Sequence, residues 1–402
     1  MSADPSRNHL PECLAMDIAE ADAISATEQV ALVMALLHGS GTRKHGTAKS
    51  RTSKRQAMQA RSAKPRTIAL EYLIGHLARF PWVGSLRFPD RFDAKSIAVA
   101  QPALDRAPGL LPPEQRLDVV PGPIDGVRDL LQGRDGGSVS VLAGGPRGSF
   151  ADLESDHDEF LVLTLAEPPG RRPARFDFDA ASLPEAAEKI LREVVHRVGS
   201  TKPHASIATT IADNPKRDHS DALPFYIADH ARVRAFHGSS VSAALHPFVR
   251  QSGIDAYLGV VRRTHAYLIA AAARTAVANR MLAFPVLNDA TEHESADLKI
   301  SGSPYRSHDF VPVPNVFLAM TAVTENTLLQ GVRNHAHRTV STHSLSMRSS
   351  TGSTRFVTQH HAIDAKRFHW NWGSQSREKS YGEVRAKLEN WVAPQRRRST
   401  KE

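Results

Sequence analysis

The last third of the chain carries, in order, Arg274, Lys299, His335, Arg338, Trp372 and Tyr381. Each type suits work on a phosphate ester. Guanidinium groups grip phosphate oxygens through forked, charge-assisted hydrogen bonds. Lysine and histidine can move protons at the reacting centre. A tyrosine phenol, with a pKa of about 10, becomes a nucleophile only when it is positioned and helped. Arg274 lies in an alanine-rich helical run, and Lys299 opens a predicted hairpin whose second strand reads Phe-Val-Pro-Val-Pro. His335 and Arg338 form a His-x-x-Arg, and Trp372 precedes Tyr381 near the chain end.

This order resembles the catalytic domain of the tyrosine recombinases, the phage-integrase family. The resemblance implies DNA breaking and rejoining through a 3′-phosphotyrosyl intermediate. Arg274 and Arg338 would clamp the phosphate, and His335 would assist proton transfer from the nucleophile Tyr381. Lys299 would protonate the departing 5′ oxygen, and Trp372 would donate its indole N–H. It also implies double-stranded DNA as partner, self-association on DNA and no cofactor. Ala273 and Val277 stand where that family usually has Gly and Glu.

A second constellation lies mid-chain, where a predicted strand runs into Gly144 and Gly145, followed by Arg147, Gly148 and Ser149 and then by Asp156 and Asp158. It looks like the signature of polymerase-β-type nucleotidyltransferases. In those enzymes small residues let the backbone approach a triphosphate, and paired carboxylates hold Mg²⁺. Asp213 would supply the third carboxylate. His360, His361 and His369 show no ligand spacing of a known metal site.

The elements that must position these residues divide into an earlier mixed half and a later helical one. Helices are expected at 19–38 and 66–80, with an acid-free basic tract between them. A mixed block follows: helix 124–133, strands 138–143 and 159–165, helix 183–198 and strand 205–212. Beyond a linker at 213–221, helices are expected at 224–236, 240–250 and 254–284. A hairpin at 297–313, a helix at 314–331 and a last helix at 380–392 complete the chain. The fold class is therefore mixed α+β, with a mainly helical C-terminal catalytic domain preceded by a smaller α/β or α+β module. The expected divisions are 1–65 (helix plus flexible basic segment), 66–215 (possible DNA-binding module), 222–395 (catalytic domain) and 396–402 (basic tail).

Composition bounds these readings. At 402 residues with 41% hydrophobic content, the chain can bury a sizeable core, which excludes collagenous and fully disordered classes. The net charge of +9 favours a polyanionic partner. The basic tract concentrates it in Arg43, Lys44, Lys49, Arg51, Lys54 and Arg55, which would contact phosphates without reading sequence; a non-enzymatic nucleic-acid-binding or packaging protein would use the same tract. Cys13 is the only cysteine, so neither an intrachain disulfide nor a thiolate zinc site can form. The run from Ala266 to Ala283 is broken by Arg274 and Arg280 and is too polar to span a bilayer. A cytoplasmic, nucleoid-associated location is expected, with no membrane partner.

Overall fold

The computed structural model describes residues 12–38, 65–80, 82–87, 111–112, 115–132, 137–153, 157–167, 176–199, 204–210, 231–276, 278–287, 298–335 and 339–362. Two large mixed sheets organise them. The first contains β1 (Val83–Leu86), β2 (Leu117–Asp125), β3 (Val139–Pro146), β12 (Phe317–Ala322), β13 (Arg333–His335), β14 (Thr339–Arg348) and β15 (Ser353–Ala362). Their order is β1-β2-β3-β12-β14-β13, with β15 along the other side of β14. The second contains β4 (Glu159–Ala166), β5 (Phe178–Ser182), β6 (Ala205–Thr210), β7 (Ala231–Phe236), β8 (Ala256–Arg262), β9 (Asn279–Leu287), β10 (Lys299–Gly302) and β11 (Tyr305–Arg306). Its order is β5-β10-β9-β4-β8-β6-β7, with β11 on β9.

Helices fill three layers around these sheets. Helix α1 (Glu12–His38) and helix α2 (65–77) cover the outer face of the first sheet, and α4 (Leu183–Gly199) covers the outer face of the second. Between the sheets lie α5 (Ser240–Leu245) and α6 (Arg263–Ala273). The short α3 (Val127–Gln132) follows β2, and α7 (Ser307–Phe310) follows β11.

Strand period fixes this layering. Leu142, Phe317 and Ala319 point to α1, whereas Val141, Ala143, Leu318 and Met320 point into the middle layer. In β4, Phe160 and Val162 face the middle, and Leu161, Leu163 and Leu165 face α4. Successive side chains alternate faces, so strands covered on both sides must be apolar throughout. Each such Leu or Phe contributes about 1.5–3 kcal/mol on burial. Beyond its first turn, helix α6 is apolar on every side for the same reason, since it packs against both sheets, and its alanines let them approach.

The fold expected from sequence is corrected here: the C-terminal half is not mainly helical. The run 254–284 holds β8, α6 and the start of β9, the stretch 314–331 contains β12, and the described part of 224–236 is β7. The expected hairpin at 297–313 is absent as such, because β10 and β11 both pair with β9 and not with each other. Strand and helix predictions in the earlier half agree better, with α4, β3, β4 and β6 lying close to the expected positions.

Candidate active site

Three strand-to-helix turns meet at one buried carboxylate, Asp125. It is the last residue of β2, in Pro-Ile-Asp-Gly, and Gly126 (φ 78°) then turns the chain into α3. A Cβ on Gly126 would stand 3.0 Å from the carbonyl carbon of Gly238 and from the Ser239 nitrogen. Only glycine therefore lets the β2–α3 turn close on the β7–α5 turn. The third turn joins β8 to α6 and delivers His265 in the first turn of that helix.

Asp125 ties these turns together. Its Oδ1 accepts from the Gly126 N–H at 2.9 Å, and its Oδ2 accepts from the Ser239 hydroxyl at 2.7 Å, the Val241 N–H at 3.1 Å and the Ser240 hydroxyl at 3.3 Å. The imidazole Nε2 of His265 lies 3.7 Å from Oδ1, while its Nδ1 is 2.8 Å from the Ser240 hydroxyl. Ser239 is also the N-cap of α5, accepting from the Ser242 N–H at 2.9 Å. Burial is the largest influence on the Asp125 carboxyl and pushes its pKa up. His265, the Val241 N–H, the Ser239 hydroxyl and Arg66 together outweigh it and hold the pKa below the usual aspartate value.

The setting suits an anionic ligand. In open α/β sheets, ligands bind beyond the carboxyl ends of strands, and β2, β7 and β8 all end here. Helix α6 begins at the third turn without a side-chain cap from Arg262, and the dipole and N–H groups of a helix N-terminus favour negative charge. Arg262 and Arg263 stand at the same turn. Arg263 is held by its N–H to the Asp158 carbonyl at 2.9 Å and by its Nε to the His157 carbonyl at 2.9 Å.

Of the residues singled out from sequence, the described ones lie elsewhere. Arg274 caps the far end of α6, its N–H bonded to the Ala270 and Ala271 carbonyls. Lys299 opens β10 opposite Leu287 and Ser182. His335 ends β13 in the other sheet, with its Nε2 2.8 Å from the Ser341 hydroxyl. These three occupy a helix end and two different sheets. Arg338, Trp372 and Tyr381 lie outside the described residues, as do Arg43, Lys44, Lys49, Arg51, Lys54, Arg55, Asp156, Asp213 and His369. Asp158 is described just before β4, where its carbonyl serves Arg263.

The mid-chain glycines have a packing reason. A Cβ on Gly144 would meet the Phe317 ring at 2.5 Å, and one on Gly145 would meet the Ser149 Oγ at 2.5 Å. The Gly148 N–H donates to Asp118 Oδ2 at 2.8 Å, so this turn is pinned to β2. Asp125, Ser240 and His265 were not singled out from the sequence. The available signal was Pro-Ile-Asp-Gly at a strand end running directly into a helix.

Residues 109–361 match the family described as bacterial fructose-1,6-bisphosphatase, glpX-encoded. That span contains every element that meets at Asp125. The chain is also similar to a D-fructose 1,6-bisphosphatase class 2/sedoheptulose 1,7-bisphosphatase of Synechococcus sp. (strain JA-2-3B'a(2-13)). The two are 25% identical over 264 residues, which cover 62% of this chain and 72% of that protein. These matches overturn the recombinase, nucleotidyltransferase and packaging readings, and with them double-stranded DNA as the partner.

Proposed function

Because the chain belongs to the bacterial, glpX-encoded fructose-1,6-bisphosphatase family, we propose that it acts on a phosphorylated sugar of the ketose bisphosphate class at the Asp125 cleft. The observation that carries this reading is the extent of the family match, which includes β2, the β7–α5 turn and the β8–α6 turn. The name of the cyanobacterial relative supports the six- and seven-carbon ketose bisphosphates as the substrates to try. The reaction in its name is phosphate-ester hydrolysis, in which water releases one inorganic phosphate and leaves a sugar monophosphate.

The cleft contributes three things to such a substrate. The α6 N-terminus and the adjacent Arg262 and Arg263 supply positive potential for a phosphate. His265, only partly buried, presents an imidazole at the same turn. Asp125 fixes the relative positions of all three turns, which limits the reorganisation needed when the substrate arrives.

Enzymes of this family depend on a divalent metal, which corrects the expectation of no cofactor; the Mg²⁺ of the alternative reading is a metal of that kind. The described residues of the cleft do not fit such an ion. Among them, no three His, Cys, Asp or Glu side chains come together as a ligand set. Both Asp125 oxygens are already engaged by protein donors. The functions assigned to Asp125, Ser240 and His265 are accordingly those of their own hydrogen bonds and charges.

The family match favours a cytoplasmic enzyme and lends nothing to nucleoid association. Among the described residues, no helix is long and apolar enough to cross a membrane. The test of the proposal is phosphate release from fructose 1,6-bisphosphate and sedoheptulose 1,7-bisphosphate, with and without Mn²⁺ or Mg²⁺. Release from either bisphosphate, faster than from the corresponding monophosphates, is expected. Equal activity on unrelated phosphate esters, or none on both bisphosphates, would remove the reading.

A further inference from the structure

Asp125 is the one buried carboxylate among the described residues at which three strand ends converge, so it would be the natural candidate for a cation ligand. Its hydrogen bonds argue otherwise. An ionised carboxylate offers about four lone-pair positions. Here Gly126, Ser239, Val241 and Ser240 direct four donors at it, and His265 Nε2 stands 3.7 Å from Oδ1. Three of the donors come from the first turn of α5 and its cap. A cation on either oxygen would displace donors that the protein places at 2.7–3.1 Å.

We infer that Asp125 is a positioning residue and not a cation ligand, and that it aims His265, through Ser240, as the side chain that meets the substrate phosphate. The arrangement has the required geometry. Ser240 bridges the two, 3.3 Å from Asp125 Oδ2 and 2.8 Å from His265 Nδ1. The ring is therefore held at Nδ1 by the hydroxyl, while Nε2 faces the carboxylate at 3.7 Å, beyond hydrogen-bond reach. Fixing an imidazole in this way sets its orientation and tautomer. Its position in the first turn of α6 directs it to the helix end that attracts a phosphate. The role of His265 rests on the proposed substrate class, whereas the role of Asp125 does not.

Two titrations of the full chain separate these claims. In the first, Mn²⁺ is added and free ion is followed by electron paramagnetic resonance, for the wild type, Asp125→Asn and His265→Gln. Mn²⁺ affinity is expected to stay within about twofold of the wild type in both variants. A tenfold or greater loss of Mn²⁺ affinity in Asp125→Asn, with the circular dichroism of the wild type retained, overturns the positioning role. In the second, fructose 1,6-bisphosphate is titrated by calorimetry. His265→Gln is expected to weaken binding at least tenfold while leaving Mn²⁺ affinity unchanged. Wild-type affinity in His265→Gln overturns the phosphate contact. Absence of binding by the wild type removes the substrate class and the phosphate contact together, and leaves Asp125 to be decided by the Mn²⁺ titration alone. Should Asp125→Asn fail to fold, Ser240→Ala takes its place. A normal Mn²⁺ affinity with weakened bisphosphate binding supports the relay, and full bisphosphate affinity overturns it.

Discussion

Two buried carboxylates, Asp125 between the sheets and Glu28 on α1, meet opposite fates. Asp125 has two backbone N–H donors, two hydroxyls and a nearby imidazole, and its pKa is held below the usual value. Glu28 has the Thr342 hydroxyl at 2.9 Å and the Ser344 hydroxyl at 3.1 Å on one oxygen, with His361 at 3.9 Å from the other. Burial dominates there, the two hydroxyls offset it only in part, and the pKa is raised. Burial alone therefore decides little. His265, the Val241 N–H and the Ser239 hydroxyl, with Arg66, outweigh burial at one carboxylate, whereas two hydroxyls alone do not at the other, which drifts towards the protonated form.

The difference has functional weight, because Asp125 lies within the family match and Glu28 lies outside it. The charged group sits where three turns converge, and the other anchors an outer helix to β14.

Replacing each carboxylate tests the contrast. Asp125→Ala strands the Ser239 hydroxyl and the Val241 N–H in a buried site, so a loss of about 3–5 kcal/mol is expected in urea unfolding. His265→Gln keeps a polar side chain but removes the facing imidazole, and about 1–2 kcal/mol is expected. Glu28→Gln keeps an acceptor for Thr342 and Ser344 and removes a charge that burial disfavours, so stability should change by less than about 1 kcal/mol. Equal losses at the two carboxylates would erase the distinction.

Acidity sharpens it. Asp125 has a lowered folded pKa, so its contribution is complete above the unfolded value of 3.8 and is lost as pH falls through the folded value. The penalty of Asp125→Ala should stay constant from neutral pH to about 4 and shrink only below that. Glu28 has a raised folded pKa, so the cost of its charge is complete above that value and vanishes below the unfolded value of 4.5. Wild type should therefore gain stability relative to Glu28→Gln as pH falls from neutral towards 4.5, and urea midpoints at stepped pH would register it.

The sequence made some of this architecture legible and concealed the rest for a physical reason. Helices α1 and α4, and strands β3, β4 and β6, are bounded by turn residues or polar tracts that stop the apolar pattern. The run from Ala256 to Leu287 has only short polar breaks, at 262–265 and around Arg274 and Arg280, because β8 and β9 are covered on both faces and α6 is buried beyond its first turn. Continuous apolarity cannot distinguish a doubly covered strand from a buried helix. The stretch around Phe317–Ala322 was misassigned for the same cause, being buried throughout.

The site was hidden differently. Asp125, Ser240 and His265 belong to three turns far apart in sequence, and each looks ordinary in its own neighbourhood. Arg274 and Lys299 drew attention because their types suit phosphate chemistry, yet their elements hold them at a helix end and a sheet strand.

Calorimetric titration of the full chain with fructose 1,6-bisphosphate, wild type beside His265→Gln, tests the central claim most directly. The account predicts saturable one-site binding by the wild type and at least tenfold weaker binding by the variant. Binding of equal strength in both proteins, or none in the wild type, would contradict it.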